Sequence, residues 1–260
     1  MRRRLDTELV RRGLVPSRAR AVEAIEGGHV TVGGAPTRTA SRQVDQNEPI
    51  DIGATETRFV SRGGEKLNAA LDYFDIDVKG LRALDAGAST GGFTDCLLQR
   101  GAEHVLAIDV GRGQIDWRLR NDARVTVIER TNIRFLDSVE GGAVPILVAD
   151  LSFISLKVVA PALAALSTPE ATLVLLVKPQ FEAGRARVPR GGVVRDPIVH
   201  RAVLDEVITG VAESGIFVTD VFESPLRGAE GNIEFLALAR KDGILVSDER
   251  RDLVVAGAHA

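Results

Sequence analysis

Between residues 81 and 178 the chain repeats one device, a short run of branched apolar residues followed by a segment long enough to cross back over. "LRALDAG", "HVLAIDV", "VTVIE", "PILVAD" and "ATLVLLVK" are five such runs. Strands that are continuously apolar, rather than alternating, belong to a parallel sheet covered by helices on both faces. The pattern predicts an α/β, doubly wound fold. Two further strands, "IFVTDVFE" and "IEFLALA", are joined by "SPLRGAEGN", too short for a helical crossover, so one of them must run antiparallel as a hairpin. The predicted sheet then has seven strands. A helix at about 66–73 precedes it, and residues 241–260 read as a loose C-terminal tail.

A chain of 260 residues holds one such domain and a small module, and 45% apolar with 27% charged residues marks a soluble globular protein. One cysteine, Cys96, excludes a disulfide framework, and four scattered histidines give no zinc spacing, so no metal is expected. Charges interrupt every apolar run before the roughly 18 residues a membrane helix needs, and "MRRRLDTELVRR" lacks the apolar segment of a signal peptide. A reducing cytoplasm is the expected location. The net charge of −3 hides an asymmetry: residues 1–20 carry seven arginines against Asp6 and Glu8, locally +5. A basic end on an acidic chain suggests a polyanion partner.

Residues 1–57 form the small module. Two short helical patterns, 4–12 and 17–26, are followed by "GGHVTVGGAPTR" and "EPIDI", which read as small strands joined by tight turns. The string "RLDTELVRRGLVPSRARAVEAIEGGHVTVGG" resembles the S4-type RNA-binding domain. The resemblance implies that Arg4, Arg11, Arg18 and Arg20 contact phosphates of a structured RNA. Residues 58–65, "RFVSRGGE", read as an interdomain linker in which Arg62 adds a further RNA contact, and the larger domain is expected over 66–240.

The first strand of the sheet ends in "DAGASTGGF", residues 85–93. Glycines there let the backbone turn sharply before a helix N-terminus, whose free N–H groups face a ligand. A dinucleotide fingerprint requires a second glycine where Ser89 stands, and no Gly-Lys-Ser/Thr follows, so neither NAD nor a Walker loop fits. The run resembles the first motif of S-adenosylmethionine-dependent methyltransferases. That resemblance assigns Asp85, Gly87, Ser89, Gly91, Gly92 and Phe93 to the cofactor, with Asp85 supporting the turn or reaching the amino group. Asp109, at the tip of the second strand, stands where an acid accepts from both ribose hydroxyls, and Thr131 and Asn132 where the adenine edge is read.

Lys178 ends the strand "LVLLVK" in the crevice that the carboxyl ends of parallel strands line, and Asp150 ends "PILVAD" beside it. An unpaired buried lysine costs several kcal/mol, so a charge at that point implies a partner or a task. Lys66, Asp150, Lys178 and Glu234, in that order, resemble the K-D-K-E tetrad of the FtsJ-like ribose 2′-O-methyltransferases. With "SRGGEKL", "ADLSFISL", "LVKPQFE" and "GNIEFLAL", they are similar more narrowly to the TlyA family of rRNA methyltransferases, historically labelled haemolysins. The resemblance implies a Rossmann-like methyltransferase sheet, S-adenosylmethionine as methyl donor, Asp150 beside the cofactor as well as in the tetrad, and cytidines of 16S and 23S rRNA as targets. A ribose hydroxyl is a weak nucleophile and needs a base as it attacks in line. Lys178 is expected to be that base or to orient the hydroxyl, with Asp150 as its partner, Lys66 polarising the hydroxyl and Glu234 orienting Lys66 and the ribose. The following "EAGRARVPRGGVVRD" carries Arg185, Arg187, Arg190 and Arg195 among glycines, a cationic loop suited to phosphates.

Three other functions compete. A catalytically silent RNA-binding protein would lack the glycine turn and tetrad. A pore-forming haemolysin needs a membrane helix or a barrel of alternating strands, and neither pattern is present. A small-molecule methyltransferase would not need residues 1–57.

Overall fold

The computed structural model describes residues 2–15, 17–53, 58–228 and 231–259. The chain divides into two compact units, Met1–Thr57 and Arg58–Ala260.

The first unit contains β1 (Arg2–Arg4), α1 (Leu5–Arg11), α2 (Arg18–Glu26), β2 (Val30–Val32), β3 (Ala35–Thr37), β4 (Gln43–Asp45) and β5 (Ile50–Ile52). β1 pairs with β4, and β2 lies between β3 and β5, all antiparallel. Its small core is built from Leu5, Leu9, Ile25, Val30, Val32, Val44 and Ile50. Inside the basic segment Asp6 and Glu8 are fully buried. Asp6 accepts from Arg4 and Arg18, each at 3.0 Å, and Glu8 is paired with Arg11 at 2.5 Å and Arg12 at 2.9 Å. The Arg4 guanidinium holds the Asp6 carboxyl down to about 2, and Arg11 does the same for Glu8. Part of the +5 seen in sequence is therefore used to neutralise buried acids.

The second unit runs α3 (Arg62–Tyr73), β6 (Arg82–Ala86), α4 (Gly92–Gln99), β7 (His104–Ile108), α5 (Trp117–Arg120), β8 (Val125–Ile128), β9 (Val144–Ala149), α6 (Leu156–Leu166), β10 (Ser167–Val177), α7 (Pro179–Glu182), α8 (Pro197–Ala212), β11 (Phe217–Glu223), β12 (Phe235–Arg240) and α9 (Asp248–Ala258). The seven strands lie in the order β11-β12-β10-β9-β6-β7-β8. β12 is antiparallel to both neighbours, and the other pairings are parallel. The chain winds outward from β6 through β7 to β8, then returns to β9 on the other side. The crevice where ligands bind such sheets opens at that reversal, beyond the ends of β6 and β9. Alternate residues of each strand serve two cores. Leu84, Leu147, Leu175 and Phe235 face the side of α6 and α8, whereas Val148, Val174, Leu176 and Leu236 face Leu67, Ala70 and Leu71 of α3.

Two sequence expectations are corrected here. Residues 241–260 are not a loose tail: Ser247 caps α9, and Val246, Val254, Val255 and Ala258 enter the core on the α8 side. Arg250 reaches Asp220 at 2.8 Å and Arg251 pairs with Asp205, so the segment is also tied to distant residues by its charges. The helix expected at about 66 begins at Arg62, and the preceding residues are fixed by Val60 N–H donating to Asp95 at 2.8 Å and by burial of the Phe59 ring. Only part of 58–65 is therefore connecting chain. Among the described residues no helix is long and apolar enough to cross a membrane.

Candidate active site

After β6 the backbone enters the left-handed region at Gly87 (φ 88°), Ser89 (φ 48°) and Gly91 (φ 96°). A side chain at Gly87 would put its Cβ 2.6 Å from the Asp150 carbonyl, so glycine is required where the end of β9 crosses the turn. Ser89 pays a backbone cost that its N–H helps to offset, donating at 2.8 Å to Asp109 Oδ2. The other Asp109 oxygen accepts from Gly111 N–H at 2.6 Å. A carboxylate offers about four acceptor sites, so two are left for a ligand diol. Between these loops lies a cavity of about 480 Å³. Gly87, Ser89, Asp109, Thr131, Asn132 and Asp150 supply polar lining, and Ile108, Val110, Ile133, Leu151 and Ile154 supply apolar walls.

Four residues expected at the cofactor do not line that cavity. Gly92 is bare because a Cβ would collide with Ser61 Oγ and approach Gly64 N, which allows α3 to pack on the start of α4. Gly91 caps α4 in the left-handed region, and Phe93 is buried in the core on the α3 side. Asp85 is fully buried beneath the turn, where Thr94 Oγ1 donates to its Oδ2 at 2.7 Å and its Oδ1 has no hydrogen-bond partner among the described residues. Burial pushes this carboxyl up to about 7. Two spare acceptor positions on Asp109, facing a glycine turn across the cavity, fit a nucleoside ligand.

The tetrad is brought to one face by strand alternation. Asp150, Lys178 and Glu234 each lie two positions from a residue that faces α3, namely Val148, Leu176 and Leu236. Pro179 follows Lys178 directly, ending β10 and holding Lys178 in extended backbone at the start of α7. Lys178 Nζ is 2.5 Å from Asp150 Oδ1 and donates to Ser152 Oγ at 2.9 Å. Lys66 lies in the second turn of α3, rather than at its opening, and meets Glu234 Oε2 at 2.5 Å. Glu234 precedes the first residue of β12 and its side chain is 2% exposed, so this pair is shielded from water. Lys178 has an 11% exposed side chain and Asp150 25%, which leaves their pair at the cleft edge.

The cationic loop is less uniform than its sequence implied. Arg185, Arg190 and Arg195 are exposed, as is Arg62 on α3. Arg187 instead makes a bidentate pair with Glu206 at 2.7 and 2.8 Å and donates to the Ala183 carbonyl, so it braces the loop against α8. Asn232 fixes the other end, accepting from Val194 N–H and donating to the Gly192 carbonyl. Sequence reasoning left Ser152, Phe153 and Gln114 unassigned, yet all three line the cavity. Their signal was adjacency, since "ADLSF" carries both just past a strand-end acid.

A doubly wound sheet with an antiparallel β12, a glycine turn facing an acid on the next strand, and two lysine–carboxylate pairs at the strand ends define a Rossmann-like methyltransferase. The chain belongs to the FtsJ-like methyltransferase family, whose profile matches residues 59–241, and an S4 domain matches residues 3–50. It is 48% identical, over 92% of its length and 90% of the relative's, to the 16S/23S rRNA (cytidine-2′-O)-methyltransferase TlyA of Mycobacterium tuberculosis. Hemolysin A of Brachyspira hyodysenteriae is 39% identical over 90% of this chain and 98% of that one. A solved Streptococcus thermophilus structure that carries a hemolysin name superposes with a TM-score of 0.80 at 38% identity, covering 99% and 96% of the two chains.

Proposed function

We propose that this protein transfers a methyl group from S-adenosylmethionine to the ribose 2′-oxygen of cytidine in 16S and 23S rRNA, in the cytoplasm. The observation that carries the reading is the Lys178–Asp150 pair, 2.5 Å apart at the edge of a cavity floored by the glycine turn. S-adenosylmethionine, when bound, supplies a methyl group activated on a sulfonium. Asp109 would hold its ribose hydroxyls, the apolar walls its adenine with Asn132 at the edge, and the turn at Gly87, supported from beneath by Asp85, its amino-acid end.

The remaining chemistry falls to the tetrad. Lys178, as a neutral amine, accepts the 2′-hydroxyl proton while Asp150 keeps the side chain directed into the cleft. Glu234 holds Lys66 in the buried wall, where its charge polarises the entering hydroxyl. Arg4, Arg11, Arg18, Arg20, Arg62, Arg185 and Arg190 would contact rRNA phosphates, those beside Asp6 and Glu8 with part of their donors already engaged. Arg187, closed on Glu206, would act by bracing the loop. A pore-forming role rests on the names of some relatives alone.

The test is to map 2′-O-methylated cytidines in ribosomal subunits treated with the full chain and with residues 58–260. The full chain should add the methyl groups. The shorter protein should bind S-adenosylmethionine equally well and leave the subunits unmodified. Unmodified subunits after treatment with active, cofactor-bound full-length protein would overturn the proposal.

A further inference from the structure

An amine that accepts a proton must aim its lone pair, and distance to a charged partner does not set that aim. Among the described residues, Lys178 Nζ has two polar neighbours, both from the loop after β9. The contact with Asp150 Oδ1, at 2.5 Å, is a close charge pair. The contact with Ser152 Oγ, at 2.9 Å, is aligned. The amine is thus bracketed by two acceptors, a carboxylate that draws it in and a hydroxyl that takes one of its N–H groups.

The loop that carries Ser152 is held at both ends. At one, Asp150 N–H donates to the Ala86 carbonyl at 3.0 Å, continuing the ladder between β9 and β6. At the other, Glu182 accepts from Ser155 Oγ at 2.6 Å and from Leu156 N–H at 2.8 Å. Glu182 ends α7, which starts directly after Lys178, so its carboxylate clamps the serine loop to the lysine segment. Burial raises the Glu182 carboxyl, and both hydrogen bonds draw it back. Phe153, next to Ser152, is held at φ 63°, a strained value for a side chain of its size. Backbone strain in a short loop anchored at both ends marks a conformation that the surrounding structure specifies.

We infer that Ser152 is a positioning residue for proton transfer: it takes up one N–H of neutral Lys178 while Asp150 attracts the other, so the lone pair faces the cleft. The inference rests on reading Lys178 as the proton acceptor. In the step it serves, the 2′-oxygen bonds to the methyl carbon as the carbon–sulfur bond breaks, and that electron pair stays on sulfur. The 2′-proton passes to Lys178 Nζ, whose ammonium later returns it to solvent. A Ser152 that instead donated to the lone pair would block acceptance, and its removal would speed transfer.

Full-length Ser152→Ala, Ser152→Thr and Lys178→Ala separate these cases. Ser152→Ala should bind S-adenosylmethionine and ribosomal subunits like the parent, keep its KM values and lose roughly tenfold in single-turnover rate, about the worth of one hydrogen bond. Ser152→Thr should recover most of that loss. In cofactor-free protein, the two ε-methylene protons of Lys178, assigned by NMR through Lys178→Arg, should be distinct in the parent and in Ser152→Thr and should merge toward one signal in Ser152→Ala. A parent or faster rate in Ser152→Ala, an unchanged NMR signal, or a loss confined to cofactor affinity would overturn the role of Ser152 while Lys178→Ala stays inactive. An active Lys178→Ala would remove the underlying reading instead.

Discussion

Glu234 and Lys66 meet at 2.5 Å although 168 residues separate them in the chain, and Gly228 leaves the space that the carboxylate occupies. A Cβ on Gly228 would collide with Glu234 Oε1. That atom ends a flexible side chain, so the carboxylate can turn aside more easily than the backbone can move.

Gly228→Ala is accordingly expected to fold but to part Glu234 from Lys66. Methyl transfer should fall by at least tenfold, within the range that positioned groups contribute, while cofactor affinity stays at the parent value. Steady-state rates alongside calorimetric titration with S-adenosylmethionine check this. Parent activity would show that the pair is structural.

Asp109→Ala should weaken S-adenosylmethionine binding by about 1.5–3 kcal/mol for each charged hydrogen bond lost. It also removes the acceptor for Ser89 N–H, so the turn itself should loosen. Isothermal titration reads the affinity directly, and an unchanged Kd would place the ribose elsewhere.

Stability should fall on mild acidification through His200. This ring is fully buried, and burial first, with His259 bonded at 2.8 Å second, lowers its pKa to about 4 from 6.5. Below 6.5 the unfolded chain takes up a proton that the folded protein resists, so the contribution is complete above that pH and is lost as pH falls toward 4. Its size is on the order of 3 kcal/mol. Thermal unfolding between pH 7.5 and 4.5 should show a decline that His200→Phe flattens, and equal slopes would remove His200 from the account.

Much of this architecture was legible because strand alternation and crossover length are local properties. Five apolar runs announced the parallel strands, and a short glycine-rich connection announced the β11–β12 hairpin. The tetrad was legible through its resemblance to a family motif, and its three strand-end residues, Asp150, Lys178 and Glu234, share a face because each lies two positions from a core residue on the α3 side. What escaped depends on contacts between distant segments. Gly92 looked like a ligand glycine, yet its neighbours are Ser61 and Gly64. The helix α9 was hidden in "SDERRDLVVAGAHA", where three buried apolar residues are outnumbered by polar, charged and small ones. Arg187 was indistinguishable from its neighbours until α8 placed Glu206 opposite it.

The central claim is that Lys178 accepts the ribose proton, and Lys178→Arg tests it most directly. A guanidinium can still pair with Asp150 but stays protonated at any usable pH. Single-turnover methylation of pre-bound ribosomal subunits should therefore fall roughly 10²–10⁴-fold in Lys178→Arg, as in Lys178→Ala, with cofactor and subunit binding preserved. An arginine variant that methylates at the parent rate would contradict the account and reduce Lys178 to a charged clamp.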